Sequence, residues 1–263
     1  MFGSLATLIP LSAAASRLDS AAWIPSDRAT CAKTPCSTCT SRAHCLAEGL
    51  SVELLQTLDE QLVNARCRLE SGERLYRVGD PFRAVFAIQA GCVKRTAFLG
   101  NGEERITGFY TAGAILGMDG ISGNRHASNA VALGASDVCI ISYAKLVELS
   151  QLVPGLEPSF HRGFSRQVLR DQAIIMLLAG SCAENLIAAF LLDLSAATRG
   201  DPSNEIRLPM TRIDIANFLG VRKETISRHL SRFKTQQLIS IEGKRIRVLD
   251  RDGLRRKCSA FGR

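Results

Sequence analysis

Residues 160–178 read FHRGFSRQVLRDQAIIMLL, and their apolar positions repeat at alternating spacings of four and three. This is the spacing of the a and d positions of a helix that packs along another helix. It predicts a long helix over residues 157–180, between a first half rich in glycine turns and a basic second half. The predicted seam of this helix consists of Phe164, Val168, Asp171, Ile175 and Leu178.

Two arrangements are compatible with this helix. It is either an ordinary amphipathic helix packed on its own domain, or the seam of a two-fold dimer in which Asp171 meets its symmetry mate. In the dimer, two like charges are desolvated together, which costs free energy. Such a dimer would be weak enough to be switched.

The segment before this helix, residues 67–142, consists of short apolar stretches separated by turn signals. AVFAI at 84–88 and DVCII at 137–141 are two of the stretches, and Gly-Asn-Gly at 100–102 is one of the turns. Short strands at such intervals predict an antiparallel roll or sandwich. Cys139 lies in the last strand, where the pattern alone predicts a small core residue.

The cysteine-rich stretch 31–45 reads CAKTPCSTCTSRAHC. The C-x2-C-x5-C spacing of Cys36, Cys39 and Cys45 brings three soft thiolates together, which suits an iron-sulfur cluster or zinc. Zinc commonly uses a second C-x2-4-C pair or distant histidines, and no second pair is present. A set of incidental free cysteines is improbable at this density. We leave Cys31 outside the ligand set, because a longer gap containing Pro35 separates it from the others.

Charge and length bound the class of protein. A chain of 263 residues with 46% hydrophobic content can form two domains with their own cores. Residues 209–263 contain 14 Lys and Arg against 5 Asp and Glu, or +9, so the other residues, with 19 against 20, carry −1 of the total +8. This asymmetry indicates a polyanion partner, most often nucleic acid, although a solvated basic surface would show it too.

The N-terminal residues 1–30 are expected to form a poorly ordered tail. A signal peptide requires basic residues at its start, and these residues contain no Lys or Arg before Arg17. Their apolar stretch is also too short to span a bilayer. Clustered cysteines in a chain of this length also favour a reducing compartment. We therefore expect a cytoplasmic protein with no membrane partner.

The basic stretch 211–235, TRIDIANFLGVRKETISRHLSRFKT, has the pattern of a helix-turn-helix with Gly220 at the turn. Residues 238–249 read as two strands around a turn, which predicts a small wing. Arg can hold guanine O6 and N7 while Glu accepts from cytosine N4; the alternative for Glu224 and Arg228 is a surface salt bridge. The candidate DNA contacts are Arg222, Lys223, Glu224, Thr225, Ser227 and Arg228 in the second helix, and Lys244 and Arg245 in the wing.

These features together resemble the CRP/FNR transcription regulators, and closely their oxygen-sensing FNR branch, over residues 31–257. Besides the cysteine spacing, the resemblance rests on ERITGFYTAG at 104–113, Asp171-Gln172, the stretch 183–190 and ETISR at 224–228. It implies an α+β fold: an antiparallel β-roll sensor domain of the cyclic-nucleotide-binding jelly-roll type, a long dimerisation helix and a C-terminal winged helix-turn-helix. The domains expected after the tail are residues 31–156, 157–180 and 181–263.

The resemblance also implies a cofactor and a target. By position, Cys36, Cys39, Cys45 and Cys139 resemble the four ligands of a [4Fe-4S] cluster, so the resemblance changes Cys139 from core filler to ligand. It implies that Glu224, Ser227 and Arg228 read half-sites like TTGAT in a palindrome. Two departures are the spacing of Cys31 and the extra charge of Arg222 and Lys223, which could loosen sequence preference.

Cyclic nucleotides are not expected as ligands. The cyclic-nucleotide branch of the family needs an acid for the ribose and an Arg-Ser pair for the phosphate. Here the corresponding region reads Gly-Met-Asp-Gly at 117–120 and later Ala127-Ser128, without the arginine.

We therefore expect a regulator and not an enzyme, since no H-E-x-x-H, P-loop or G-x-S-x-G motif is present. Its expected partners are double-stranded DNA with a palindromic operator, RNA polymerase, and a second copy of the chain when the cluster is bound. The alternatives are a zinc-stabilised DNA-binding protein, a regulator that responds to nitric oxide or general redox state, and a cluster-bearing redox enzyme or electron carrier.

Overall fold

A computed structural model describes residues 34–153, 155–197 and 205–258. The expected N-terminal tail, Cys31 and the turn-rich link at 198–204 lie outside these residues. The first half of the described chain is a roll of two four-stranded antiparallel sheets, ordered β1-β8-β3-β6 and β2-β7-β4-β5. Its strands are β1 Val63–Leu69, β2 Arg74–Tyr76, β3 Ala84–Ala90, β4 Cys92–Phe98, β5 Glu104–Thr111, β6 Ile115–Leu116, β7 Asn129–Ala132 and β8 Ser136–Ser142.

The two faces of the sheet β1-β8-β3-β6 bury different clusters. Because successive side chains of a strand point to opposite faces, Val138 and Ile140 of β8 lie inside the roll, whereas Cys139 and Ile141 lie on its outer face. Both faces are buried, since helices and the cysteine-rich stretch cover the outer one. The antiparallel roll predicted from the sequence is confirmed.

Three helices flank the roll: α1 Val52–Thr57, α2 Tyr143–Leu152 and α3 Leu156–Gly180. Residues 51–64 have a helix-like sequence, but the α-helical part is shorter. It passes into a π-helical turn at Leu58–Leu62 and then directly into β1. Helix α3 begins one residue before its predicted start, after Gly155, whose φ of 92° is accessible to glycine at little cost.

The second half forms a winged helix-turn-helix, as predicted. Gly220 ends the first helix of the motif in the left-handed conformation, with φ 67°. Strand β9 joins the two predicted wing strands in a sheet of order β10-β11-β9, and neither β9 nor the final helix α7 was predicted. The elements are α4 Ala183–Ala197, β9 Glu205–Arg207, α5 Arg212–Leu219, α6 Lys223–Thr235, β10 Ile239–Glu242, β11 Arg245–Val248 and α7 Arg251–Lys257.

The helix-turn-helix and the roll share one apolar core. Phe109 of β5 packs against Phe190 of α4 and Phe218 of α5, with ring centroids 5.9 and 5.2 Å away. Cys92 and Ile106 of the roll belong to the same buried cluster. No helix within the described residues is both long and apolar enough to cross a bilayer.

Candidate functional site

Residues 34–50, here called the cysteine loop, are attached to the outer face of the roll. The Ser41 hydroxyl donates to the carbonyl of Gln89 at 2.8 Å, and the Gln89 amide donates to the carbonyl of Thr34 at 2.9 Å. His44 lies so close to Gly113 that a Cβ at this glycine would be 2.7 Å from the His44 Cβ. The loop is therefore held on the roll by contacts at Gln89 and at Gly113.

The face of β8 that carries Cys139 is the face that the cysteine loop covers. Cys139 and Leu46 belong to one buried cluster, and Cys45 packs against it. Cys36, Cys39 and Cys45 lie near enough to Cys139 that ionised thiolates at these positions would repel one another. The structure thus groups the four sequence-predicted cysteines, three from the loop and one from a strand about a hundred residues later.

The described part of the chain does not present a finished metal site. No group of three or more His, Cys, Asp or Glu side chains in it is arranged to hold one metal ion. Burial, and secondarily the hydrogen bond with and negative charge of Asp59, raises the pKa of the Cys36 thiol to about 12. Burial likewise raises the pKa of the Cys139 thiol to about 12. Both thiols are therefore protonated at neutral pH, and ligation has to displace their protons.

The chemistry of this group nevertheless fits an iron-sulfur cluster. Its four sulfur donors are free thiols, and soft thiolates are the ligands that such clusters use. The buried Nε of Arg66, on the strand beside Cys139, has no hydrogen-bond partner among the described residues. An unsatisfied buried donor on a guanidinium close to Cys36 and Cys139 suits a negatively charged group.

The cysteine loop is also tied to helix α3. Glu48 forms an ion pair with Arg166 at 2.6 Å, and its carbonyl accepts from the Ser159 hydroxyl at 3.1 Å. Leu156 and Phe160, in the first turns of α3, belong to or pack against the cluster that contains Cys139. The loop and the first turns of α3 are therefore joined by both polar and apolar contacts.

The apolar seam of α3 faces solvent along its length. Phe164, Val168, Ile175 and Leu178 are between 39% and 64% exposed, so the rest of the described chain covers this stripe only in part. The structure therefore does not support the simple case of a helix whose apolar stripe packs on its own domain.

Asp171, in the middle of the seam, has partners within its own chain. Its carboxylate accepts from the Gln167 amide at 2.8 Å and lies 3.6 Å from the guanidinium of Arg95 on β4. Neither contact is indicated by the sequence. The charge of Asp171 is therefore partly balanced before any second chain approaches.

The candidate nucleic-acid interface is formed by the first turns of α6. Ile226, Leu230 and Phe233 are buried, which turns the opposite side of the helix outward. Arg222, Lys223, Glu224 and Arg228 are exposed, whereas Thr225 and Ser227 are half-buried.

The predicted base-reading side chains Glu224 and Arg228 do not form an ion pair with each other among the described residues. Among the described ion pairs, none joins Glu224 to Arg228, so the salt-bridge alternative is not formed. Ser227 accepts a hydrogen bond from the Arg212 guanidinium at 3.1 Å. In the wing, Lys244 is exposed, while Arg245 lies 3.3 Å from Glu205 of β9. Arg245 would thus have to share its charge between this carboxylate and a phosphate.

The region that corresponds to the nucleotide pocket is occupied by an internal polar network. The Asp119 carboxylate accepts from the Ser128 hydroxyl at 2.6 Å and from the Ala127 amide at 3.0 Å, and lies 3.4 Å from His126 Nδ1. Burial opposes ionisation of Asp119, but the hydrogen bonds from His126 and Ser128 outweigh it and lower its pKa. His126 in turn stacks on Tyr76, with ring centroids 3.9 Å apart.

Two family models match the chain: a cyclic nucleotide-binding domain over residues 66–151 and a Crp-like helix-turn-helix domain over residues 187–257. The transcriptional activator protein FnrA of Stutzerimonas stutzeri is 38% identical over 83% of this chain and 90% of its own length. The fumarate and nitrate reduction regulatory protein of Vibrio cholerae is 39% identical over 82% of this chain and 86% of its own length. The structure of FixK2 from Bradyrhizobium japonicum, 24% identical, covers 75% of this chain and 98% of its own with a TM-score of 0.69, which supports the fold.

Proposed function

This chain belongs to the CRP/FNR family of transcription regulators, and on that premise we propose that an oxygen-labile [4Fe-4S] cluster controls its dimerisation and its binding to DNA. The chain is a DNA-binding regulator and not an enzyme. The proposed ligands are Cys36, Cys39, Cys45 and Cys139. The observation that supports them best is the position of Cys139 on the outer face of β8, beneath the cysteine loop.

The proposed role of the four thiolates is to fix the cysteine loop on the roll. When bound, the cluster supplies sensitivity to oxygen, because oxygen oxidises iron-sulfur centres. With Cys45 and Cys139 as ligands of one group, Leu46 and Leu156 are held in a single packed cluster. The bond between Glu48 and Arg166 extends this constraint to α3.

The exposed seam of α3 is the proposed dimer surface. A second copy would cover Phe164, Val168, Ile175 and Leu178, each of which stays at least 39% exposed in the monomer. In a two-fold dimer the Asp171 carboxylates would approach each other, and their repulsion opposes association. Fixing the first half of α3 has to outweigh this repulsion, so the dimer forms only when the cysteine ligands are engaged.

The dimer would present two α6 helices to successive major grooves of a palindromic operator, one helical turn apart. The expected half-sites resemble TTGAT. The proposed base contacts are Glu224, Ser227 and Arg228, with Thr225, Arg222 and Lys223 beside them and Lys244 and Arg245 on the phosphates. RNA polymerase is the expected protein partner at such an operator.

The experiment is spectroscopy combined with DNA binding on protein purified without oxygen. Absorption and Mössbauer spectra, with iron and sulfide counts, are recorded before and after exposure to air, and DNA affinity is measured by fluorescence anisotropy. We expect a [4Fe-4S] spectrum and tight operator binding, both lost in air.

A pair of buried thiols provides the matched control. Cys139→Ser should abolish cluster uptake and anaerobic DNA binding, whereas Cys67→Ser should not, because Cys67 lies on the neighbouring strand but inside the roll. Equal effects would mean that the ligand set is wrong. A colourless protein with stoichiometric zinc would support the zinc-stabilised alternative, and a response to nitric oxide but not to air would support the nitric-oxide alternative.

A further inference from the structure

An ion pair between Arg66 of β1 and Asp59 of the π-helical turn lies between two of the proposed ligands. The Asp59 carboxylate accepts from the Arg66 guanidinium and also from the backbone N–H of Cys36, at 3.3 Å. The pair is largely shielded from solvent, since the Arg66 side chain is 16% exposed and that of Asp59 22%.

The strand register directs Arg66 at Cys139. The two residues are direct partners in the antiparallel pair β1-β8, and directly opposed residues have side chains on the same face of the sheet. Arg66 also interacts electrostatically with both Cys36 and Cys139. Arg66 therefore faces the space under the cysteine loop rather than the interior of the roll.

The hydrogen bonding of Arg66 is incomplete in the described chain. Its Nε is buried and has no partner among the described residues, although Asp59 engages the other end of the guanidinium. Buried donors are rarely left unpaired in native proteins, because the lost hydration is not recovered. The guanidinium also acts as a hydrogen-bond donor toward the Cys139 thiol, so it already lies beside one of the proposed ligands.

We propose that Arg66 is a positioning residue for the bound cluster: its guanidinium donates a hydrogen bond to a cluster or cysteine sulfur, and Asp59 holds both the guanidinium and the Cys36 backbone in place. This inference rests on the proposed function and adds to it the residue that sets how firmly the cluster is held. Hydrogen bonds to sulfur and nearby charge are established determinants of cluster potential and stability.

Arg66→Met removes the charge and the donor and keeps an apolar stem. A cation stabilises the more negative, reduced form of a cluster, so its removal lowers the reduction midpoint and makes oxidation easier. We expect about tenfold faster loss of visible absorbance in air. We also expect a fall in the midpoint potential, where each tenfold change in relative stability corresponds to about 59 mV for one electron.

Arg68→Met is the matched control. Arg68 lies two residues along the same strand and therefore on the same face, but it is 54% exposed and pairs with Glu70 and Asp137. This variant makes the same change of charge and should leave the midpoint and the rate in air unchanged. Arg66→Lys keeps the charge without the planar fork, and we expect it to restore the midpoint but not the resistance to air.

The measurements are iron and sulfide content after anaerobic reconstitution, a redox titration followed by electron paramagnetic resonance, and decay of absorbance in air. If the unmodified chain takes up no cluster, the proposed function fails. If the unmodified chain and Arg66→Met take up the cluster with equal midpoints and equal decay rates, only the present inference fails. If Arg66→Met does not fold, Arg66→Lys becomes the test. The proposed hydrogen bond is then wrong if Arg66→Lys has the same midpoint potential and the same decay rate in air as the unmodified chain.

Discussion

Replacing Lys94 with methionine tests the polar contact that ties the helix-turn-helix to the roll. Lys94 Nζ of β4 lies 2.7 Å from Asp214 Oδ1 of α5, and the two side chains are 24% and 14% exposed. The same carboxylate also caps α5, because its Oδ2 accepts from the Thr211 amide at 2.9 Å and from the Thr211 hydroxyl at 2.6 Å. One carboxylate thus joins the start of the DNA-binding motif to the sheet β2-β7-β4-β5 of the roll.

The expected cost follows from this partial burial. A hydrogen bond to a charged group contributes about 1.5–3 kcal/mol, and exposed ion pairs contribute about 0.2–1 kcal/mol. Because Lys94 is about a quarter exposed and Asp214 keeps its capping bonds, we expect Lys94→Met to lower the free energy of unfolding by about 1–2 kcal/mol.

The contribution of this contact should depend on pH. Burial opposes ionisation of Asp214, but the hydrogen bonds from Lys94 and Thr211 outweigh it and lower its pKa. A carboxyl group whose pKa is lower in the folded state stabilises the fold above its unfolded pKa, about 3.9 for Asp. The stabilisation is lost as the pH falls through the folded-state pKa. The difference between the unmodified chain and Lys94→Met should therefore shrink below about pH 4.

The assay is urea-induced unfolding at pH 7 and at decreasing pH, arranged as a double-mutant cycle of Lys94→Met and Asp214→Ala. The cycle is needed because Asp214→Ala alone also removes the Asp214 half of the capping box at the start of α5. Lys145→Met, on the exposed side of α2, makes the same change of charge without a described ion pair and should have little effect. A coupling energy below about 0.3 kcal/mol at pH 7 would refute the reasoning.

Two further predictions concern the DNA and dimer surfaces. Arg228→Ala should reduce the free energy of binding to the specific site by about 1–3 kcal/mol and relax selection at one base pair. Lys244→Ala should instead weaken binding to all DNA sequences alike. Fluorescence anisotropy on a panel of operators distinguishes the two outcomes. Asp171→Ala should tighten the dimer in air about tenfold, or about 1.4 kcal/mol, and Arg95→Met should weaken it because Asp171 loses its cation. Sedimentation that shows no change for either variant would remove Asp171 from the switch.

The sequence by itself determined most elements of this protein and their order, though not β9 or α7. The alternation of strands, the glycine turns and the 4-3 spacing of α3 are local patterns, so each was readable without knowledge of the fold. Gly220, with its left-handed backbone, marked the turn of the DNA-binding motif for the same reason. The concentration of positive charge after residue 208 pointed to its polyanion partner.

The candidate site was only partly readable in this way. The spacing of Cys36, Cys39 and Cys45 is local, but nothing near Cys139 distinguishes it from a core residue. Its assignment came from resemblance, and the geometric reason for it lies in the sheet. Strand alternation places Cys139 outside the roll, and the docking of the cysteine loop on that face brings the other thiols to it.

Only the tertiary structure decided which side chains became neighbours across long stretches of chain. Arg66 faces Cys139 through the register of β1 and β8, Arg95 reaches Asp171, and Lys94 reaches Asp214. The short strand β9 likewise exists through its pairing with the wing. Local periodicity records which face of an element is apolar but not which element will cover it. That choice depends on the summed burial and pairing of segments far apart in the sequence, which is a property of the folded chain.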